Sequence, residues 1–229
     1  MESIWEYRAL LIAGTFVTVK LAIASLTLSV LFGLLGASAK LSNNRTLRRI
    51  GAVYTTLIRG IPELVLMMLL FYAGQQLLND LGEATGLWDY LEIEKFTAGV
   101  AVLGFTYGAY MTETFRGAIL AIPRGQTEAG IACGMTPLTI FRRITWPQMV
   151  RHALPGFTNN WLVLIKGTAL VSVIGLHDLV WNASSAGRSV REPFTFFFAV
   201  LIIYLIMTAV SDIGLRWLNR RYNVGVQRA

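Results

Sequence analysis

Among the ionisable side chains that interrupt apolar runs of this sequence, Arg59, Glu63, Glu113 and Lys166 are the candidates for chemistry. A charge inside a membrane helix costs about 2.5–3.5 kcal/mol on insertion scales, so each needs a partner or water. Arg59 and Glu63 stand four apart, and Glu113 and Arg116 three apart. Such spacings meet on one helical face, and mutual neutralisation is the expectation for both pairs. Lys166 has no acid within one turn, so it is expected either to pair with another helix or to border a watered path. Thr168 and Ser172, one turn apart, offer hydroxyls that either meet a ligand or bond back to the preceding turn, and the second is expected. Glu63, Glu113, Lys166, Thr168 and Ser172 are the candidate lining of a polar path. Other chemistry is missing. Cys133 is the single cysteine, no Cys/His set has metal-ligand spacing, and no nucleophile–base pair is apparent. No Gly-x-x-x-x-Gly-Lys-Ser/Thr phosphate loop occurs, so ATP hydrolysis is not assigned to this chain, and no cofactor or metal is expected on it.

The elements that must position these residues follow from composition. With 229 residues, 55% hydrophobic and 14% charged, the sequence reads as an all-α integral membrane protein. The net charge of +7 does not indicate a nucleic-acid partner, because the basic residues cap apolar runs and form no polar patch. A span needs roughly 20 apolar residues to cross a core of about 30 Å. Stretches 15–39, 54–78, 96–115, 157–176 and 194–215 qualify, giving five transmembrane helices in one domain, 1–229, without internal repeats. A cleaved leader is not expected: Glu2 and Glu6 precede the first run, and its basic residues follow it. Lys40, Arg45, Arg48 and Arg49, then Arg116, Arg124, Arg142, Arg143 and Arg151, then Arg216, Arg220, Arg221 and Arg228 fall on one side, against Arg8, Lys95, Arg188 and Arg191 on the other. The positive-inside rule then puts the N-terminus outside and the C-terminus in the cytoplasm. Glycines 33, 36, 99, 104, 108 and 167 lie inside spans and predict close helix approach.

One long connection, about 121–155, is too polar for a span. Its sequence predicts a helix-turn-helix: a short helix stopped at Gly134, a second capped by Thr136 with Pro137 at its first position, and a break at Pro147. Lying along a membrane surface with Arg124, Arg142, Arg143 and Arg151, it suits docking of a soluble partner.

Within that connection Glu128, Ala129, Gly134, Ile144 and Pro147 match in identity and spacing the Glu-Ala-Ala loop of permease subunits of bacterial ATP-binding-cassette importers. Three further stretches carry the resemblance in the same order: Arg59, Gly60, Pro62, Leu64 and Val65; Ala109, Tyr110, Glu113, Arg116 and Gly117; Lys166, Thr168, Leu170 and Ser172. Over nearly the whole chain the sequence resembles most the Q-type permeases of histidine/lysine/arginine/ornithine uptake systems. The resemblance implies a type I importer permease fold with a cytoplasmic coupling loop, in a bacterial inner membrane. It also implies a second permease subunit, most simply in a heterodimer, two ATP-binding subunits that hold ATP and Mg, and a periplasmic amino-acid-binding protein. Two departures stand out: Gly130 where the family usually has its second Ala, expected to loosen the docking face, and Trp146 where it usually has Leu. Glu63 is a third, an acid where related permeases often carry an apolar residue, and it suits a cationic cargo. The alternative function is a stand-alone transporter or channel driven by an ion gradient, with Glu113 and Lys166 relaying protons. An odd number of spans without an inverted repeat argues against it.

Overall fold

The computed structural model describes residues 2–222, so Arg228, one of the charges used for orientation, lies outside the described residues. In chain order the helices are α1 (Glu2–Glu6), α2 (Arg8–Leu41), α3 (Arg45–Gly60), α4 (Glu63–Thr85), α5 (Lys95–Leu120), α6 (Arg124–Ala132) and α7 (Pro137–Ile140). A π-helical turn, Phe141–Thr145, joins α7 to α8 (Trp146–Gly167), and a 3-10 stretch, Thr168–Ile174, follows before α9 (Leu179–Ser189) and α10 (Pro193–Tyr222). The described residues contain no strand.

Among the described residues four helical stretches are long and apolar enough to cross a membrane: Arg8–Leu41, Glu63–Thr85, Pro137–Ile174 and Pro193–Arg221. The remaining expected span is α5, whose 26 residues reach about 39 Å at the helical rise. It is less apolar because it faces protein: Thr106, Tyr107, Gly108 and Thr112 are all buried. Helices α2 and α5 run in the same direction, since Leu28, Phe32 and Gly36 meet Gly104, Gly108 and Thr112 in that order. The approach depends on missing side chains. A Cβ added at Gly36 would lie 2.2 Å from Thr112 Oγ1, and one at Gly104 2.7 Å from Leu28. Around this pair Leu21, Met67, Val102, Leu103, Tyr107 and Leu164 form the main core. Leu11, Leu179, Ala183 and Phe196 form a second cluster at one end.

Three expectations need correction. The second span, 54–78, is not one helix: α3 stops at Gly60, and Ile61 and Pro62 are extended (ψ 139° and 134°) before α4 starts at Glu63. Pro62 keeps the residue before it out of the α region, which breaks the helix inside the apolar run. The break expected at Pro147 is absent. Proline removes one backbone donor, and the chain absorbs this by widening to the π turn, in which Trp146 N–H donates to Phe141 C=O, so helix continues from Pro137 to Gly167. Finally, the connection after residue 176 holds α9, whose start is fixed by Asp178: its Oδ1 accepts the Trp181 N–H at 2.8 Å.

Candidate functional site

The break between α3 and α4 lies against the middle of α5. Tyr107, the largest fully buried side chain among the described residues, donates its hydroxyl to Glu63 Oε2 at 2.9 Å, and that hydroxyl also lies 3.3 Å from the Val163 carbonyl. Gly167 leaves the space for it, since a Cβ there would sit 2.4 Å from the hydroxyl. One turn along α5, Tyr110 carries the Arg59 guanidinium over its ring at 5.3 Å from the centroid. Arg59 and Glu63 therefore do not neutralise each other as four-apart spacing suggested. The helix that would align them ends at Gly60, and each takes a tyrosine of α5 instead. The last carbonyls of α3 and the Glu63 carboxylate both carry negative potential toward this break. A Cβ built on Gly60 would meet no atom, so the break has open space beside it.

Glu113 is paired, and more extensively than its own helix predicts. Its Oε2 accepts from Arg116 Nε at 3.0 Å and Nη2 at 2.9 Å, while Oε1 accepts from Lys40 Nζ at the end of α2. Lys40 also donates to Thr55 Oγ1 of α3 at 2.9 Å. One carboxylate thus ties α2, α3 and α5 together. Lys166 lies beside Gly167 with its side chain exposed, and no ion pair joins it among the described residues. Thr168 is buried and its hydroxyl bonds the Ile165 carbonyl at 2.6 Å and lies 3.2 Å from the Tyr204 hydroxyl; Ser172 bonds the Ala169 carbonyl at 2.7 Å. Both hydroxyls turn back on their own helix, as expected. The structure thus brings Glu63 together with Tyr107 and its neighbours, holds Glu113 in a separate cluster, and occupies Thr168 and Ser172 internally.

The 121–155 stretch folds into two helices packed at an angle of the chain set by Gly134, whose φ of 73° is accessible to glycine at little cost. Thr136 caps α7 with Pro137 at its first positions. Gly130 does not loosen this pair; it lets α6 sit closer. A Cβ there would lie 2.9 Å from Ile144 Cδ1 and 3.1 Å from Ile140 Cγ1, so Ile144 holds the two helices together from inside. Glu128, Ala129, Gly134 and Pro147 are exposed, and Ile131, Leu138, Phe141 and Trp146 expose large apolar surface beside Arg142 and Arg143. Glu128 borders an open cleft of about 420 Å³ with Ile122, Arg124 and Thr145. Apolar side chains beside arginines, at the start of the long Pro137–Ile174 helical stretch and on α6 next to it, are the features of a protein-docking face.

Sequence reasoning gives no site role to Tyr107 or Lys40, and names Tyr110 only as a residue of the family resemblance. Tyr107 carried a signal in its position between Gly104 and Gly108, where a bulky polar aromatic in a glycine-rich helix must fill a gap between helices. Lys40 was read only as an orientation charge. Its pairing depends on α2 and α5 being parallel and in register, which spacing along the chain does not encode.

A bundle of long apolar helices, with charges held at an interrupted helix in its middle and an exposed helical pair to one side, defines a membrane component of a transport system. The chain belongs to the family of binding-protein-dependent transport system inner membrane components, matched over residues 29–224. It is 50% identical over 226 residues to the histidine/lysine/arginine/ornithine transport system permease protein HisQ of Escherichia coli (strain K12), covering 99% of each chain. It is 40% identical to the nopaline transport system permease protein NocQ of Agrobacterium fabrum (strain C58), covering 90% of each. Among solved structures, an amino acid ABC transporter with histidines superposes with a TM-score of 0.81 at 33% identity, over 96% of this chain and 97% of that one. The inward-facing MetNI methionine ABC transporter shares the fold, with a TM-score of 0.76 at 19% identity, over 95% and 98%. The all-α importer-permease fold read from the sequence is the fold observed.

Proposed function

We propose that this chain is the permease subunit of an ATP-driven importer of basic amino acids, with histidine, arginine, lysine and ornithine as the cargo class. The observation that carries the cargo assignment is the carboxylate of Glu63, held by Tyr107 at an interrupted helix in the middle of the bundle. Membrane transporters place cation sites at such interruptions, where helix C-terminal carbonyls and an acid replace lost hydration. The names of the relatives point to the same cargo class. Glu63 is the cargo-facing acid, with Lys166 at the border of the path; Glu113 acts by holding α2, α3 and α5 rather than by meeting cargo, and Thr168 and Ser172 support the bundle.

In this reading Glu128, Ala129, Gly134, Ile144 and Pro147 build the surface on which an ATP-binding subunit docks. Ile144 acts from within by fixing the helix pair, and the others act at the exposed face. Two ATP-binding subunits hold ATP and Mg, a second permease completes the path, and a periplasmic binding protein delivers cargo. The chain crosses a bacterial inner membrane with its N-terminus periplasmic and its C-terminus cytoplasmic, a reading that the charge asymmetry supports.

The test is to co-purify the chain with its genetic neighbours and measure ATPase stimulation by binding protein loaded with each amino acid. Stimulation by arginine, lysine, histidine or ornithine, and not by neutral amino acids, is expected. Stimulation confined to neutral amino acids would refute the cargo assignment. Within that system Glu63→Gln, which keeps shape while removing charge, is expected to weaken arginine and lysine transport more than that of neutral histidine.

A further inference from the structure

Helix α3 has three faces, and neither the path nor the docking surface uses two of them. At about 100° per residue, Gly51, Thr55 and Ile58 share the buried side. Leu47, Ile50, Val53 and Leu57 form a second, exposed strip. Arg45, Arg48 and Arg49 are exposed at the start of the helix, on the flank between the other two. Residues 41–62 contain no Asp or Glu, and no carboxylate pairs with these three arginines among the described residues. Lys40, the neighbouring cation, is already taken by Glu113 and Thr55. Arg48 Nη1 lies 3.5 Å from the Ser42 carbonyl.

Orientation requires positive charge on one side of a span, but it does not require this arrangement. Guanidinium groups are forks that match phosphate oxygens in pairs. The apolar strip runs away from them for ten residues, about 15 Å at the helical rise, which is half of a hydrocarbon core of about 30 Å. One leaflet of a bilayer has that depth. We propose that α3 is a binding site for one anionic phospholipid, with its headgroup phosphate on Arg45, Arg48 and Arg49 and an acyl chain along Leu47, Ile50, Val53 and Leu57. The site goes beyond the transport reading and does not depend on the cargo.

The experiment uses the assembled importer in nanodiscs that contain a photoactivatable phosphatidylglycerol or, separately, a phosphatidylcholine with the same reactive chain. Crosslinked peptides of this chain are then mapped. The expected result is labelling of the 42–60 segment by phosphatidylglycerol well above phosphatidylcholine. Each of Arg45→Gln, Arg48→Gln and Arg49→Gln is expected to lower that preference about fivefold, and the triple variant on the order of a hundredfold. The triple lysine variant, which keeps charge but loses the fork, is expected to fall between. If the triple glutamine variant does not assemble, the single variants carry the test. Equal labelling by the two lipids would mean generic boundary lipid and overturn the proposal, as would unchanged preference in the variants. Competition by soluble glycerol phosphate would make the site one for free phosphate esters, and a 42–60 segment protected from both lipids would make it a subunit contact; either outcome overturns the lipid assignment.

Discussion

Replacing Glu113 by Gln should destabilise the bundle by more than the loss of a single neutral hydrogen bond, because it leaves Lys40 and Arg116 facing each other without an anion. The Lys40 and Glu113 side chains are 17% and 20% exposed. Removing one partner of a fully buried pair costs about 3–5 kcal/mol. Water reaches about a fifth of this pair, and its screening discounts that cost to about 2–3 kcal/mol. For a chain of this size about 2–4 °C accompanies each kcal/mol, so the melting temperature of the detergent-solubilised complex should fall by about 4–12 °C. Lys40→Met should cost a similar amount, since it strands Glu113 with Arg116 alone and frees Thr55. The double variant Lys40→Met with Glu113→Leu should recover most of the loss, because an apolar pair of similar volume removes the buried charges altogether. Arg116, at 34% exposure, can then turn to water. Glu113→Leu alone should cost at least as much as Glu113→Gln, so its coupling to Lys40→Met should be about 3 kcal/mol. Melting followed by fluorescence-detected size exclusion measures Glu113→Gln, Lys40→Met, Glu113→Leu and the double variant, with Glu83→Gln on an exposed position as control. A Glu113→Gln shift no larger than the control, or additive losses in the double variant, would refute the triad as the tie between α2, α3 and α5.

Gly134→Ala should leave the spans inserted yet lower coupled transport severalfold, because a left-handed residue other than glycine costs about 1–2 kcal/mol and re-aims α7; Gly134→Asn should retain more activity, and equal transport by both variants would contradict this. In a Cys133→Ser background, a cysteine at Glu83 should be labelled from the periplasm and one at Arg142 only after permeabilisation, with reversed accessibility overturning the assignment of sides. Burial raises the Asp178 carboxyl to about 6, against the N–H groups of Trp181 and Val180 that favour its charged form, and its Oδ2 has no hydrogen-bond partner. The folded state therefore holds this proton more tightly than the unfolded chain does. Its contribution is fully present below about pH 4 and is lost as pH rises through about 6, by up to about 3 kcal/mol. Asp178→Asn keeps an acceptor for the α9 cap, so it should match the parent in acid and exceed it in melting temperature above about pH 7. Parallel melts at the two pH values check this.

The fold was legible where the physics is local. Apolar run length placed the spans, the glycines at 33, 36, 104 and 108 announced the tight α2–α5 contact, and Thr136–Pro137 marked the start of α7. What stayed hidden depended on three-dimensional register. The Arg59 and Glu63 spacing pointed to an ion pair because a continuous helix was assumed through Pro62, and the proline that breaks it was in plain view inside an apolar run. Gly130 suggested looseness by composition, yet its effect is set by what faces it, Ile140 and Ile144, which are ten and fourteen residues away. Pro147 was expected to break a helix because a lost donor usually does, whereas a π turn one step earlier absorbs it.

Transport by reconstituted components tests the central claim most directly. Liposomes holding the chain with its sister permease and ATP-binding subunits, and binding protein in the compartment facing the acidic 79–95 connection, should accumulate labelled arginine only when ATP and Mg are supplied on the opposite side. Liposomes holding the permease subunits alone should take up none under a proton or sodium gradient. Gradient-driven arginine uptake by the chain without ATP-binding subunits, unaffected by binding protein, would contradict the account.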